Sequence, residues 1–388
     1  MSAATGGAGR RLRVLLHAQH LSGIGHFVRT REIARALAAR HQVTLLDGGR
    51  PVPGAAGDGV ELLPLPRLER VGGQLLAVDP GITVGEALDR RAATLASAAA
   101  RLRPDVLVVE HFPFSKWEFR DEIAGLVAAV RGARPGTCII CSVRDIPRQT
   151  SHEDCTPEAW QRVALTALHG QFDALMVHGE ERLTPLAASF PAAAAIRIPV
   201  AHTGIVVARA DPAPAPLADG GPYVIASVGG GEDAACLLAL CARAWRRLQR
   251  DRACGGRVLV LCGGVRGVSH QVDSGTSAVR ATAFDHRFPG WLAAADLSVS
   301  YAGYNSCASL LASGTPALLV PNPRMSDQSE RAAVMASLGA ARALEPADLT
   351  EDGMAAAMRG ALGEPRRAPP VALDGAERAA RFIERIAD

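Results

Sequence analysis

Only one lysine, Lys116, occurs among the 42 basic residues of this 388-residue chain, and blocks of like charge are missing altogether. The formal charge of +3 is spread along the sequence. Basic arms for nucleic acid and polybasic membrane anchors are therefore excluded, and no nucleic-acid partner is expected. The near-absence of lysine reflects G+C-rich coding, which also inflates alanine, glycine and proline and leaves stretches such as Ala92 to Ala100 with little functional weight. No run of about 18 or more uninterrupted apolar residues occurs, and Met1 to Gly9 lacks the apolar centre of a secretion signal. A cytoplasmic location with at most peripheral membrane contact is the expectation. A disulfide framework is missing too, because the eight cysteines are dispersed and many lie in apolar stretches, as reduced buried thiols do. Cys138 and Cys141 have CxxC spacing, but residues three apart in a strand point to opposite faces.

What is present is an alternation of apolar strand runs with helix-length segments. The length exceeds that of a single core, so two domains are expected, and a hydrophobic fraction of 48% suffices for both. Strands are predicted at Arg13–Leu16, Gln42–Leu46, Asp105–Glu110, Thr137–Ser142 and Ala174–His178, with helices at Phe27–Arg40, Thr83–Leu102, Lys116–Val130 and Pro157–His169. This pattern predicts a parallel sheet covered on both faces, a Rossmann-like half. Prolines 212, 214, 216 and 222 with Gly220 and Gly221 forbid a helix or central strand, which makes 209–222 a linker between domains at 10–208 and 223–370. Beyond it the alternation restarts, and a last helix from Gly375 to Ile386, within 371–388, is placed to cross back to the first domain.

Three strand-to-glycine-to-helix turns stand out. Ser22-Gly23-Ile24-Gly25-His26 follows Val14-Leu15-Leu16, Gly229-Gly230-Gly231 follows Tyr223 to Val228, and Gly303-Tyr304-Asn305-Ser306 follows Leu297 to Ala302. Such turns leave backbone N–H groups free to meet an anion. The plainer reading is ordinary tight turns and helix caps.

These turns occur in one order with Val108-Val109-Glu110-His111-Phe112-Pro113-Phe114, Ser142-Val143-Arg144-Asp145-Ile146, Val177-His178-Gly179 and Asp327-Gln328-Ser329-Glu330-Arg331-Ala332. The ordered set, from about residue 13 to 345, resembles the MurG-like glycosyltransferases, with a C-terminal half similar to their family 28-type C-terminal domain. The resemblance implies an α/β GT-B fold, two Rossmann-like doubly wound domains facing across a cleft. It implies an acceptor bound mainly by the first domain and a nucleotide-sugar donor, UDP-linked by preference, bound by the second. Gly229, Gly230, Gly231, Gly303, Tyr304, Asn305 and Ser306 are then expected at the donor diphosphate, Asp327 and Gln328 at the donor sugar, and Phe284 and Asp285 at the base. Core packing for Phe284 and an N-cap box for Asp327 with Glu330 are the alternatives.

On the acceptor side stand Gly23, Gly25, His111 and Arg144, with His26 and Glu110 as catalytic candidates. His26 opens a helix after a strand, where open α/β sheets bind ligands and a neutral imidazole can accept a hydroxyl proton. Glu110 orients His26 or contacts acceptor hydroxyls; a capping or salt-bridge role is the alternative, and local pairing is the alternative for Arg144. His178 is a lesser candidate for the cleft. No Asp-x-Asp pair occurs, so no metal and no cofactor are expected. One position departs from the relatives: Ser309 stands where they carry a glutamate for the ribose hydroxyls. The expected activity is inverting transfer of a sugar from a nucleoside diphosphate to a hydroxyl on a small-molecule or lipid-linked acceptor. A nucleotide-sugar hydrolase or 2-epimerase, and a non-catalytic sugar-nucleotide-binding subunit, are the rivals.

Overall fold

The computed structural model describes residues 10–21, 23–52, 57–149, 155–210, 220–229, 234–264, 278–368 and 370–387. The first half contains β1 (Arg13–Ala18), α1 (Gly25–Ala38), β2 (Gln42–Asp47), β3 (Val60–Pro64), β4 (Leu68–Val71), β5 (Gln74–Ala77), α2 (Val84–Leu102), β6 (Val106–Glu110), α3 (Arg120–Ala133), β7 (Cys138–Arg144), α4 (Pro157–Gln171), β8 (Ala174–His178), α5 (Leu186–Ser189) and β9 (Val200–His202). The second contains β10 (Tyr223–Ser227), α6 (Ala234–Arg250), β11 (Val258–Cys262), β12 (Val279–Thr282), α7 (Phe288–Ala294), β13 (Leu297–Tyr301), α8 (Tyr304–Ser313), β14 (Ala317–Val320), α9 (Gln328–Ser337), β15 (Arg342–Ala343) and α10 (Glu351–Ala361). Then comes α11 (Gly375–Ala387).

Strands such as Val106-Leu107-Val108-Val109-Glu110 are buried throughout, as a parallel sheet covered on both faces requires. The first sheet has the order β3-β2-β1-β6-β7-β8-β9 and the second β12-β11-β10-β13-β14-β15, and every paired strand in both is parallel. Each order reverses once, between β1 and β6 and between β10 and β13. At such switch points the loops after the strand C-termini part and leave a crevice.

Local signals set the helix limits. Thr83 and Glu86 form a capping box at the start of α2, which ends at Arg103 in left-handed backbone. Thr156 caps α4 ahead of Pro157, and α8 ends at Gly314 (φ 64°).

The first sheet packs one face on Leu95, Ile123, Leu126, Val130 and Leu168, and the other on Phe27, Ile33 and Leu37 of α1. That second face is completed by Ala379, Ala380, Phe382 and Ile383, because α11 returns from the second half to lie against α1. At the start of α11, a Cβ on Gly375 would come within 2.5 Å of the Ile205 carbonyl carbon. Gly375→Val is therefore expected to cost about 1–3 kcal/mol through forced displacement of backbone. Gly360→Ala, at a position where a Cβ meets nothing within 4 Å, is not. Comparing their thermal unfolding checks the difference.

Candidate functional site

Residues at or beyond the C-terminal ends of β1 and β7 meet those beyond β13 and β14. The Asn305 side chain donates to the Gly25 carbonyl at 3.0 Å, and Arg331 donates twice to Asp145, at 2.7 and 2.8 Å. Arg148 pairs with Glu330, and Arg144 with Asp327 at 3.4 Å. Both switch points thus open onto one interdomain seam.

On the first side, His26 is the second residue of α1 and Glu110 the last of β6, adjacent strands bringing them together. His26 Nδ1 lies 2.7 Å from a Glu110 oxygen. A carboxylate only accepts, so Nδ1 carries the proton and Nε2 the lone pair. Arg29, one turn along α1, donates to the same Glu110 oxygen. Burial lowers His26 from 6.5 to about 4 and keeps the imidazole neutral. Burial by itself would raise Glu110, but His26 and Arg29 outweigh it and hold the carboxyl well below its usual range. With His26 neutral, Arg29 is the charge that keeps Glu110 ionised.

His111 follows in left-handed backbone (φ 67°), its ring edge-on to His26 at 5.1 Å and its Nδ1 2.8 Å from Ser115 Oγ. The ligand atoms of His26, Glu110 and His111 lie within 4.8 Å of one another, a spacing at which a metal ion can be held. Arg29 already supplies positive charge to that carboxylate.

On the second side, Gly229 follows β10 and Gly303 follows β13. A Cβ on either would meet no described residue within 4 Å. The first N–H groups of α8, at Tyr304, Asn305 and Ser306, have no carbonyl available one turn back. Gly230 and Gly231 lie outside the described residues. Gly25 approaches across the seam so closely that a Cβ there would stand 3.3 Å from the Asn305 amide nitrogen, and Gly23 lies in the loop just before it.

Several expected roles need revision. Asp327 is 1% exposed, accepts from Arg331 at 2.7 Å and makes no cap to α9, while Gln328 accepts the Asn322 N–H at 3.0 Å. A buried carboxylate must be paired; this one is paired through Oδ2 at the seam while Oδ1 has no hydrogen-bond partner, and no capping box is present. Glu330 faces Arg148 instead of reaching back. The Tyr304 hydroxyl accepts the Val206 N–H at 2.9 Å, with its ring close to both Arg29 and Arg331. Phe284 packs against the core containing α1 and α11 and beside Phe288, and Asp285 holds Arg287 at 2.8 Å. His178 is fully buried between Ser142 and Thr203, each 2.7 Å away, which takes it out of the cleft. Ser309 is buried on α8.

Residues not expected from sequence include Arg29, three positions after His26 on the same helix face, and Arg331, four after Asp327. Both spacings were available signals, obscured by the abundance of arginine. A further buried set, Arg91 with Glu122 at 2.5 and 2.7 Å and His17 with Glu122 at 3.0 Å, lies beneath the first edge. Its members are far apart in sequence and carried no local signal.

With this geometry in place, residues 225–386 match the model of the glycosyltransferase family 28 C-terminal domain. The UDP-N-acetylglucosamine–N-acetylmuramyl-(pentapeptide) pyrophosphoryl-undecaprenol N-acetylglucosamine transferase of Methylobacterium nodulans is 32% identical over 179 residues, 43% of this chain and 47% of that protein. The namesake from Methylorubrum populi is 33% identical over 123 residues, 29% of this chain and 33% of its own length. The matches thus take in less than half of these relatives. Among solved structures, the kitacinnamycin glycotransferase superposes with a TM-score of 0.58 at 19% identity, covering 98% of both chains. The glycosyltransferase VinC in complex with dTDP gives 0.57 at 17%, covering 97% of this chain and 95% of its own. Among the described residues no helix is long and apolar enough to cross a membrane. The chain thus has the GT-B fold, and its second half carries a glycosyltransferase family 28 C-terminal domain.

Proposed function

We propose that this protein is an inverting, metal-independent glycosyltransferase that moves a sugar from a nucleoside diphosphate, UDP by preference, to a hydroxyl acceptor. The observation that carries the reading is the His26–Glu110 pair at one switch point, facing the glycine-bounded start of α8 at the other. The diphosphate leaving group is met by the N–H groups of Tyr304, Asn305 and Ser306 and by the Gly229 loop, where the helix terminus offsets its charge. His26 Nε2 takes the acceptor proton as the hydroxyl oxygen attacks the anomeric carbon. Glu110 holds the ring in the tautomer that leaves Nε2 free and stabilises the imidazolium as it forms.

Calorimetric titration with UDP, dTDP, GDP and ADP in the presence of a chelator tests this directly. One nucleotide should bind, and Asn305→Ala and Gly303→Val should each weaken it by about 10–100-fold, the value of a charge-assisted hydrogen bond or more. Failure of all four to bind would remove the donor site. Incubation with donor alone separates the rivals of the same fold: released sugar marks a hydrolase, an altered nucleotide sugar an epimerase, and intact donor a transferase.

A further inference from the structure

We propose that Lys116 is the receiving charge for an anionic group, carboxylate or phosphoryl, carried by the acceptor close to its reacting hydroxyl. The assignment rests on reading the first edge as the acceptor side.

The arginines around this edge are all committed. Arg29 is held by Glu110, Arg70 by Glu118 at 2.5 Å, Arg144 by Asp327 at 3.4 Å, and Arg331 by Asp145 and Asp327. Lys116 is different. It is half-buried, yet its ammonium makes no hydrogen bond or ion pair with any described residue. The ammonium keeps contact with solvent, so an anion entering the crevice can reach it. It also sits in left-handed backbone (φ 69°, ψ 32°), a conformation unusual for a residue with a side chain.

Two such residues, His111 and Lys116, bracket the buried segment Phe112 to Ser115, which places the lysine just after β6 at the switch point. The lysine's charge acts on both His20 and His26, and Glu118 and Glu110 act on it in turn. The donor loops at Gly229 and Gly303 belong to the other sheet. An anion meeting this ammonium therefore arrives with the molecule whose hydroxyl reaches His26. A compact ammonium also suits a single carboxylate or phosphoryl oxygen, where a guanidinium would demand a planar two-point match.

Because Lys116 is the only lysine, an amine-acylating reagent has one side-chain target, distinguishable from the α-amino group by peptide mapping. Labelling of the folded protein is followed with inorganic phosphate, pyrophosphate or acetate, against chloride at matched ionic strength. The expected result is labelling of native Lys116 that one of these anions slows saturably by about tenfold. Protection by the phosphorus anions identifies a phosphoryl group, and protection by acetate a carboxylate. Equal rates in all anions and chloride, or a Lys116 that reacts only after denaturation, overturns the assignment. Nucleotide binding without protection defeats this inference alone. Protection without nucleotide binding defeats the transferase reading alone.

Discussion

His26→Ala lowers glycosyl transfer by about 10²–10⁴-fold, the usual contribution of a positioned general base, while nucleotide affinity stays at the wild-type value. The separation follows from geometry. His26 belongs to the first edge, whereas the glycine loops and the start of α8 belong to the second sheet. Glu110→Gln should reproduce part of the loss in kcat, since an amide can donate to Nδ1 and favour the wrong tautomer. The pH profile adds an independent check. Protonation removes the lone pair on Nε2, so activity is lost on the acid side. Burial holds His26 near about 4 rather than 6.5, so kcat/KM should be flat through the mildly acidic range and fall with unit slope only below about 4. An acid limb close to 6.5, or unchanged turnover in His26→Ala, would remove this histidine from the mechanism.

Arg331→Leu should cost about 3–5 kcal/mol, the penalty for stripping a buried carboxylate of its partner. Asp145 and Asp327 both lean on this guanidinium, which also donates to the Ala302 carbonyl at 2.9 Å, and all three side chains are nearly fully buried. Asp145 comes from the first half and Asp327 from the second, so the loss is relieved in part by parting the seam. Thermal unfolding should shift down, and small-angle scattering should report a larger radius of gyration. Adding Asp145→Asn to Arg331→Leu should restore part of the stability, because the orphaned charge is then removed. An unshifted transition would mean that the seam is open in solution.

The alternation was legible because parallel strands buried on both faces read as unbroken apolar runs, and β8 matches its predicted limits. The elements that went unread lack that signature. In β3 (Val60–Pro64) every residue is at least partly exposed, and β4 and β5 form a hairpin of two four-residue strands outside the main sheet. Gly353 and Gly360 break the helical pattern of α10. For the candidate site, the placement of His26 and Glu110 was readable because sheet topology alone puts strand ends at the crevice. The ion pairing of Asp327 was not readable, because its arginine, Arg331, is shared with Asp145 across the seam. The direction of a polar side chain depends on partners that sequence spacing does not reveal.

The return of α11 to α1 also imposes an order of events during synthesis. The apolar face of α1, with Phe27, Ile33 and Leu37, is covered by residues of a helix made after the entire second half. Between β9 and α11 lie about 170 residues, which at about 5–20 residues per second means roughly 10–35 s on the ribosome with that face uncovered. The second half carries no such debt, since its two cores draw chiefly on its own helices. The nascent first half is thus the species that a chaperone would meet, and the half made later is the one that can finish folding first.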